Sequence, residues 1–373
     1  MKNYLSIYNF ELKLLKKLYE YLYQQLFNIK IFLFSPIYKI NYVRSELNEI
    51  IKVLNLQGFN QSLKDIESNI IFYFLKIPKL FFRIDVFLKD KYKHDFSILE
   101  SSYFNINEMI SNTRILKEKL RKYNLYSNYF NSSQTKESFD FQWENIPIGK
   151  SLLSDFSFRN DITSFITEYT KLKKSWFSKK TVLDIGCGNG RFSYGFALLK
   201  AKLTIMDQSR SAIKHTENNL KDFNIKVIKG DILKTKLLPK IKYDLVWSFG
   251  VVHHTGNTSL ALKNIRKLLK NKGFLFLMIY GEPNSNTEFY EISQYNNLRK
   301  KTNDLSTYEK FVYLKSQFKP KLVHGYFDAI SPNINELYSF QEIENMLLKL
   351  NFRDIQRVNI SNRNHHIICQ LFE

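Results

Sequence analysis

The residues best suited to chemistry lie in a glycine-rich turn that directly follows a short apolar run. Residues 181–193 read TVLDIGCGNGRFS, so a buried strand leads through Gly186, Gly188 and Gly190 into a helix. Glycine accepts backbone angles closed to other residues and lets a ligand approach the main chain without meeting a Cβ. The helix N-terminus brings unpaired N–H groups to the same place. Because no Gly-Lys-Ser/Thr follows, the turn is not a phosphate-binding P-loop, and it predicts a site for another small ligand.

Acidic residues follow the next two apolar runs. Asp207 comes directly after the run at 202–206, at the distance from Asp184 at which dinucleotide-binding folds place an acid for ribose hydroxyls. Asp231, within the sequence KGDI, follows the run at 226–228. An acid in this second place is suited to facing an adenine amino group. The two acids therefore predict contacts with the sugar and the base of a nucleoside.

Two adjacent histidines follow the fourth apolar run. The sequence YDLVWSFGVVHHT at 243–255 places His253 and His254 at the carboxyl edge of the predicted sheet, where open α/β sheets bind ligands. Either histidine is a candidate catalytic general base, and a structural or pocket-lining role is the alternative. His365 and His366 fall in the last predicted strand, which favours a structural role for both.

The elements that must position these residues alternate between short aliphatic runs and helix-length amphipathic segments, as in a parallel sheet with helices on both faces. The pattern predicts strands at 181–185, 202–206, 226–228, 245–249, 274–279, 353–359 and 366–371. Helices are predicted at 209–222 and 259–270, with Gly273 as the stop of the second. Ser339 and Glu342 predict a capping box that opens another helix. The sequence thus predicts an α/β, Rossmann-like fold with a seven-stranded, mostly parallel sheet.

Taken together, the motifs between residues 181 and 281 resemble those of the class I S-adenosylmethionine-dependent methyltransferases, within the broad group that modifies quinones, sugars and secondary metabolites. The resemblance implies S-adenosyl-L-methionine as the cofactor. It implies that the glycine loop, supported by Asp184, lies under the methionine moiety, that Asp207 binds the ribose and that Asp231 contacts adenine. The implied cofactor-binding residues are Asp184, Gly186, Cys187, Gly188, Gly190, Asp207, Gln208, Asp231, Ile232 and Ser248.

Two flanking segments extend the resemblance. SFDFQW at 138–143 is similar to the aromatic segment that precedes this domain in some bacterial members, and HGYFDAISPN at 324–333 is similar to their C-terminal part. Residues 333–335 depart from the family pattern, in which aromatic residues follow Ser-Pro. An NAD-dependent dehydrogenase would use a similar glycine turn, but the Gly-Cys-Gly loop and the His-His ending of the fourth strand fit that class poorly.

The chain is predicted to contain two regions. Residues 1–135 form a mainly α-helical N-terminal region of unknown role, and residues 136–373 form the methyltransferase domain, with the polar segment NSSQTKES at 131–138 as the boundary. The connection 282–335 after the fifth strand is too long for a simple loop and is predicted to form a cap over the pocket. The candidate substrate contacts are Tyr280, Glu282, His324, Tyr326 and Asp328.

A leucine-rich stripe marks the N-terminal region. Its members recur at helical spacing and are Leu12, Leu15, Leu18, Tyr19, Leu22 and Leu26. A basic amphipathic helix of this kind is able to lie on a membrane, but packing against a neighbouring helix is favoured. Charged residues and proline interrupt the apolar runs near 26–33 and 70–87, so neither predicts a transmembrane helix. With no signal peptide visible, we expect a cytoplasmic protein and leave peripheral membrane contact open.

The net charge and the number of cysteines limit which partners and cofactors the protein is expected to have. A formal net charge of +21 invites a nucleic-acid or anionic-membrane interpretation. Lysine greatly outnumbers arginine, however, and compositional drift is the favoured explanation, so a nucleic-acid partner stays open without being favoured. Two cysteines are too few for a disulfide framework or a four-ligand zinc site, and no metal is expected. For Cys187, packing in the turn is favoured over a nucleophilic role.

Three functions compete on these observations. The leading hypothesis is methyl transfer to a small-molecule, lipid or glycan-precursor acceptor by in-line attack on the sulfonium methyl group. A tRNA or rRNA methyltransferase that uses the basic surface is the alternative, and it predicts RNA binding that weakens steeply with salt. A non-catalytic cofactor-binding protein is the third hypothesis. The acceptor, the atom that is methylated (O, N or C), the use of a general base and the oligomeric state stay open.

Overall fold

The computed structural model describes residues 25–26, 31, 35, 37–55, 106–122, 132–146, 156–234, 241–360 and 363–373. The chain divides into two compact units. One takes residues 1–117 with 283–294, and the other takes residues 118–282 with 295–373.

The first unit is helical in its described part. It contains α1, residues 37–55, and most of α2, Ile106–Lys122. Buried residues of both helices form its core: Tyr42, Val43, Leu47, Ile50, Ile51, Leu54, Met109 and Leu116. A buried ion pair joins Lys117 to Glu46. The predicted stripe from Leu12 to Leu22 lies outside the described residues, and Leu26 is helical and 67% exposed.

The second unit is built on the predicted seven-stranded sheet. Its strands are β1 Thr181–Ile185, β2 Lys202–Asp207, β3 Ile225–Lys229, β4 Tyr243–Phe249, β5 Leu269–Ile279, β6 Phe352–Arg357 and β7 His365–Leu371. They lie in the order β3-β2-β1-β4-β5-β7-β6; β7 pairs antiparallel with both β5 and β6, and the other neighbouring strands pair parallel. The strand order reverses between β1 and β4, which is where open α/β sheets form a ligand-binding crevice.

Helices pack on both faces of the sheet. Nine described α-helices follow α2 in the chain. They are α3 Ser132–Asn145, α4 Phe156–Thr170, α5 Arg191–Leu198, α6 Arg210–Asn219, α7 Thr258–Leu268, α8 Asn286–Lys301, α9 Thr307–Gln317, α10 Pro320–Ile330 and α11 Phe340–Lys349. In α7, Leu262, Ile265 and Leu268 share one buried face because they recur at helical spacing.

Alternate residues of the strands supply two apolar cores, since successive strand side chains point to opposite faces. Leu183 of β1 and Leu275 of β5 pack with α7 and α11 on one face. Val182 and Phe276 pack with α4 and α5 on the other face, where Trp247 stacks on Phe276 with ring centroids 3.8 Å apart. The predicted two-faced α/β sheet is therefore confirmed.

The predicted helix stop at Gly273 is wrong. Helix α7 ends at Leu268, and β5 begins at Leu269 and runs through Gly273. Leu269 already pairs with Tyr243, and a register shift in β4 follows directly. The residue with positive φ in this stretch is Lys272, at 61°, so the helix passes into the strand without a glycine stop.

The polar segment that marks the predicted boundary is helical over its described residues, 132–138. It begins helix α3, and the compact unit that holds the sheet already starts at Glu118, ahead of the predicted boundary at 136. The reason is that polar side chains of this helix are buried, with Thr135 and Ser138 at most 1% exposed. Composition alone therefore indicated a solvated boundary where the structure has a packed helix.

The connection after β5 is helical, and its role as a cap over the pocket stays a prediction. Helices α8, α9 and α10 lie in it, although Pro283–Gln294 belongs to the first compact unit. In the second unit, Leu314 of α9 and Val323 and Phe327 of α10 share an apolar cluster with Phe141 of α3. The Phe141 and Phe327 rings stack with centroids 5.6 Å apart. Helix α10 is thereby held against α3.

The predicted capping box at the start of α11 forms only in part. The Ser339 hydroxyl accepts a hydrogen bond from the Glu342 backbone N–H at 3.2 Å. The Glu342 carboxylate instead accepts two hydrogen bonds from Arg121, each 3.0 Å long, and is thereby held away from the helix start.

We expect Ser339→Ala to lower the free energy of unfolding by about 1 kcal/mol, because a helix N–H loses its only side-chain acceptor. Ser339→Asp keeps an acceptor at the N-cap and is expected to stay within about 0.5 kcal/mol of the wild type. Urea unfolding followed by circular dichroism measures both. Equal losses in the two variants would contradict the capping role.

Candidate active site

A cavity of about 700 Å³ opens at the carboxyl ends of the parallel strands. This volume lies within the range of small-molecule and cofactor pockets. Its walls come from the glycine turn, the residues after β2, β3 and β4, and the helices α3 and α10. Its lining residues include Phe139, Trp143, Gly186, Arg191, Met206, Asp207, Gln208, Asp231, Ile232, Phe249, Gly250, Val251, His254, Met278, Tyr280, His324 and Asp328.

The glycine turn brings main chain to the wall of this cavity. Gly186 lines it with φ at +68°, and its N–H donates to the Met206 carbonyl at 2.7 Å. A Cβ at Gly186 would lie 2.3 Å from Cγ2 of Val251, and one at Gly188 would lie 2.6 Å from the Trp143 ring. Both neighbours line the cavity, so a side chain at either glycine would displace its wall.

Gly188 and Gly190 do not line the cavity themselves. Gly190 is the N-cap of α5 and packs against Thr216 of α6. Asp184, another predicted cofactor residue, is also buried behind the wall, where it accepts a 2.5 Å hydrogen bond from the Ser193 hydroxyl. Burial is the main cause that raises the pKa of Asp184 to about 7. These residues therefore support the turn from behind, which is the role that the resemblance implied for Asp184.

Asp207 lies at the end of β2, and its side chain reaches the cavity. Its two carboxylate oxygens accept hydrogen bonds from the N–H groups of Gly188 at 3.1 Å and Ser209 at 2.8 Å. Burial raises the pKa of Asp207 to about 6, and the backbone donors oppose this shift. Each oxygen retains acceptor capacity for a further hydrogen bond. The carboxylate thus links the glycine turn to the cavity.

The remaining residues predicted for the nucleoside end also line the cavity. Gln208 follows Asp207, and Asp231 and Ile232 follow β3. The Asp231 carboxylate accepts a 2.9 Å hydrogen bond from the Leu233 N–H, which holds it in a tight turn. Ile232 is only 4% exposed and joins the core beside Met206. One end of the cavity therefore combines carboxylates with an apolar floor.

Ser248 and Cys187 lie outside the cavity. Ser248 is fully buried, and Phe249, Gly250 and Val251 line the wall in its place. Cys187 is 6% exposed, and burial raises the pKa of its thiol well above the usual value. Its sulfur accepts a hydrogen bond from the Thr216 hydroxyl at 3.6 Å. A protonated, enclosed thiol is suited to packing and not to nucleophilic attack.

The two adjacent histidines differ in whether they line the cavity. His254 lines the cavity, and its Nδ1 lies 2.7 Å from the carbonyl oxygen of Ile334. Because a carbonyl only accepts, Nδ1 carries the proton and Nε2 presents a lone pair. Nε2 is buried and has no hydrogen-bond partner among the described residues. Burial also lowers the pKa of His254, so the ring stays neutral around pH 7.

His253 does not reach the cavity. It is fully buried and stacks on Tyr280 with ring centroids 4.0 Å apart, and burial lowers its pKa well below the usual value. The packing of His253 therefore favours the structural role over the role of a general base. His365 is similarly enclosed and bonds through Nε2 to the Tyr338 carbonyl at 2.8 Å. His366 packs edge-on against Tyr169 at 5.1 Å.

Three of the five predicted substrate contacts meet in the cavity. The Tyr280 hydroxyl donates to the Asp328 carboxylate, and both residues line the wall. Burial, with the Asp328 charge, raises the pKa of Tyr280 well above the usual value. His324 lines the wall beside Trp143, with ring centroids 5.6 Å apart, and burial lowers its pKa. A polar group of uncharged rings and one carboxylate therefore faces the cavity from β5 and α10.

Glu282 and Tyr326 lie outside the cavity. Glu282 is 3% exposed, and its backbone N–H donates to the Tyr338 carbonyl. Tyr326 stacks on Phe318 at 3.9 Å and contacts Tyr295 in the apolar cluster that includes Phe327. The helical spacing of α10 explains the difference, because Asp328 and His324 are four residues apart and share a face that Tyr326 does not.

A clamp positions the carbonyl that orients His254. The Ile334 N–H donates to the Thr135 hydroxyl at 3.0 Å, which ties the segment 331–338 to α3. Arg121 donates to the Leu337 carbonyl at 2.8 Å and stacks over the Tyr338 ring at 4.1 Å. Residues ahead of the predicted domain boundary thus hold the segment that sets the His254 tautomer.

Several cavity residues escaped the sequence analysis. Arg191, Met278 and Asn364 line the wall, as do Ser133, Lys136 and Phe139 of α3. The aromatic segment 138–143 was noticed only through resemblance. The sequence contained one indication of a role for Arg191. A cation at the first position of a helix is unfavourable next to the positive end of the helix dipole, so its presence there suggests a function. The others are ordinary residue types whose place depends on the packing of α3 and β7.

Within the described ranges, no group of three or more His, Cys, Asp or Glu side chains is arranged to hold a metal ion. The same part of the chain contains no helix that is both long and apolar enough to cross a membrane.

Residues 177–330 match the protein family described as "Methyltransferase domain". The matched segment contains the glycine turn, the first five strands and helix α10. Over this segment the chain is similar to methyltransferase domains, and the predicted α/β, Rossmann-like fold with a seven-stranded, mostly parallel sheet is confirmed.

Curated relatives match over part of the chain. A ubiquinone biosynthesis O-methyltransferase from Pelagibacter ubique is 31% identical over 100 residues, which cover 26% of this chain and 40% of the relative. A ribosomal RNA small subunit methyltransferase C from Buchnera aphidicola is 32% identical over 146 residues, which cover 35% of this chain and 42% of the relative. The chain thus spans about two fifths of the length of these relatives.

Solved methyltransferase structures are similar at low identity. N-methyltransferase NodS from Bradyrhizobium japonicum, in complex with S-adenosyl-L-homocysteine, is 14% identical with a TM-score of 0.41, over 64% of this chain and 100% of that one. Magnesium protoporphyrin IX methyltransferase from Synechocystis PCC 6803, with bound SAM, is 12% identical with a TM-score of 0.40, over 64% and 96%.

Proposed function

We propose that this chain binds S-adenosylmethionine in the cavity and transfers its methyl group to an acceptor held beside α3 and α10. The observation that carries the proposal is the joint position of Gly186 and Asp207 on one wall of the cavity. Gly186 offers bare main chain where a Cβ would meet Val251 at 2.3 Å. Asp207 offers a carboxylate with acceptor capacity suited to ribose hydroxyls.

The cavity fits the proposed cofactor at its nucleoside end. Asp231 and Ile232 supply an acceptor and an apolar surface for adenine, while Gln208 lies beside Asp207. Asp184 and Ser193 stabilise the turn from behind. The remaining predicted cofactor residues do not line the cavity, and in this proposal they keep the glycine turn and the core in shape without contacting the cofactor. They are Cys187, Gly188, Gly190 and Ser248.

When bound, the cofactor supplies an already activated methyl group, so the protein need not create an electrophile. The task of the chain is to hold the acceptor in line with the methyl group, which by itself supplies a large part of rate acceleration. Tyr280, His324 and Asp328 orient the acceptor, and Trp143 and Phe139 exclude water. His254 takes the proton of the acceptor on Nε2, because the Ile334 carbonyl holds the proton on Nδ1.

We favour a small-molecule, lipid or glycan-precursor acceptor. The support is a cavity with aromatic walls and a few polar groups, which is typical of small-molecule sites. An RNA acceptor is the second candidate, because the chain carries a net charge of +21 and some relatives are named as rRNA or tRNA enzymes. RNA binding that falls steeply with salt, together with RNA methylation, would favour that candidate.

Asp207→Ala tests the cofactor proposal. Hydrogen bonds to a charged group contribute about 1.5–3 kcal/mol, so we expect the affinity for S-adenosylhomocysteine to fall about 10- to 150-fold. Isothermal titration calorimetry of the purified chain measures this change. Asp222→Ala, at an exposed aspartate outside the cavity, is the matched control and is expected to bind as the wild type does.

Either of two results would contradict the proposal. One is a folded wild-type protein that does not bind S-adenosylhomocysteine, and the other is an Asp207→Ala variant that binds it as tightly as the control. Binding without methyl transfer to any acceptor offered would favour the non-catalytic alternative.

A further inference from the structure

Arg191 lines the cavity, and the proposed function assigns it no role. It begins α5 directly after the glycine turn, and its side chain lines the cavity wall. Its guanidinium lies over the rings of Phe192 at 4.5 Å and Phe249 at 5.3 Å. Two aromatic faces therefore support the flat cation and limit the directions in which its N–H groups point.

Within the described residues, the Arg191 guanidinium has no hydrogen bond and no ion pair. Asp184 and Asp328 act on it only as more distant charges. A partly buried cation without a direct partner is costly, and the positive end of the α5 dipole adds to that cost. An anion in the cavity would offset both penalties, and the five guanidinium donors suit the two oxygens of a carboxylate.

We propose that Arg191 binds the carboxylate of the methionine moiety of S-adenosylmethionine. This assignment rests on the proposed function, and it adds a binding residue that neither the glycine motif nor the acidic residues of the strands indicated.

The order of the strands decides which end of the cofactor Arg191 meets. Asp231 follows β3, at one side of the crevice, and Arg191 lies over Phe249 at the end of β4. Three strand spacings separate β3 from β4 in the order β3-β2-β1-β4, which amounts to about 14 Å. With adenosine held over β2 and β3, the amino-acid end extends across β1 toward Arg191.

The test compares S-adenosylmethionine with its decarboxylated form, which differs only in the carboxylate. We expect the wild type to bind the intact compound about 10- to 100-fold more tightly, as a charge-assisted pair implies. In Arg191→Met this preference is expected to vanish, with affinity for the decarboxylated compound changed less than about threefold. Arg191→Lys keeps the charge without the fork and is expected to retain part of the preference. Calorimetric titration of the full chain measures all six affinities.

Arg353→Met, at an exposed arginine of β6 outside the cavity, is the matched control and is expected to keep the full preference. The assignment is overturned when Arg191→Met weakens the binding of both compounds equally, since the loss of affinity then reflects a change in structure. It is equally overturned when Arg191→Met keeps the wild-type preference. Failure of the proposed function looks different, because the wild type itself would then bind neither compound.

Discussion

Gly186→Ala is expected to abolish measurable binding of S-adenosylhomocysteine, a loss of at least about 100-fold. The new Cβ would lie 2.3 Å from Cγ2 and 3.1 Å from Cγ1 of Val251. Valine is branched at Cβ and has little rotamer freedom with which to move aside. The residue at 186 must also keep φ near +68°, which costs an L-amino acid roughly 1–2 kcal/mol. Val251 or the turn must therefore shift, and both form the cavity wall.

Two further variants separate this local effect from general destabilisation. Gly195→Ala also creates a clash, because its Cβ would lie 2.5 Å from Cδ1 of Ile166, but Gly195 lies outside the cavity. We expect it to lower the melting temperature and to retain S-adenosylhomocysteine binding. Adding Val251→Ala to Gly186→Ala removes both methyl groups and should restore part of the affinity. Calorimetry and thermal unfolding of the three proteins would refute the wall-contact argument if Gly195→Ala lost binding as completely as Gly186→Ala.

His254→Gln is expected to slow methyl transfer by about 10²- to 10⁴-fold, the usual contribution of a general base. Glutamine places a neutral amide near the position of Nε2, but an amide is not basic and cannot take up the proton. The affinity for S-adenosylhomocysteine should change less than about threefold, because the substitution removes a proton acceptor and not a cofactor contact. The measurement is the rate of transfer from labelled S-adenosylmethionine to an acceptor identified by screening.

The pH dependence of the wild type provides a second readout of the same proposal. A base works in its neutral form, and burial lowers the pKa of His254 from the usual value of about 6.5. Protonation of His254 should therefore not slow the transfer when the pH falls from 7.5 to 6.5, where an exposed histidine would already be half protonated. Asp184 and Asp207, with pKa values of about 7 and about 6, titrate near this range, and their effect should be the same in His254→Gln as in the wild type. An acid limb centred at or above pH 6.5 would show that another group titrates, and an unchanged rate in His254→Gln would exclude His254 as the base.

The sheet and the glycine turn could be predicted because their signals are local. Strands β1 and β4 can be recognised from their apolar runs. Glycine occurs at position 186 because the turn leaves no room for a Cβ there. Asp207 was found because parallel strands bring their carboxyl ends to one edge, so its position after β2 already places it near the turn. Local patterns of this kind need no knowledge of distant contacts.

Other features depend on residues far apart in the chain. His254 differs from His253 because its Nδ1 meets the carbonyl of Ile334, 80 residues away. Helix α3 was read as a polar boundary because only packing shows that Thr135 is buried. Glu282 is two residues from Tyr280, which lines the cavity, but the Glu282 side chain is buried outside the cavity.

The amino-acid sequence by itself thus determined the class of fold, the similarity to methyltransferase domains and the main chain that faces the cavity. Periodicity and turn chemistry act over a few residues and leave a readable pattern. Only the tertiary structure decided which polar side chains reach the cavity and which tautomer His254 adopts. Those outcomes depend on close packing and on hydrogen bonds between distant segments, such as Thr135 with Ile334 and Arg121 with Leu337, which no local pattern encodes.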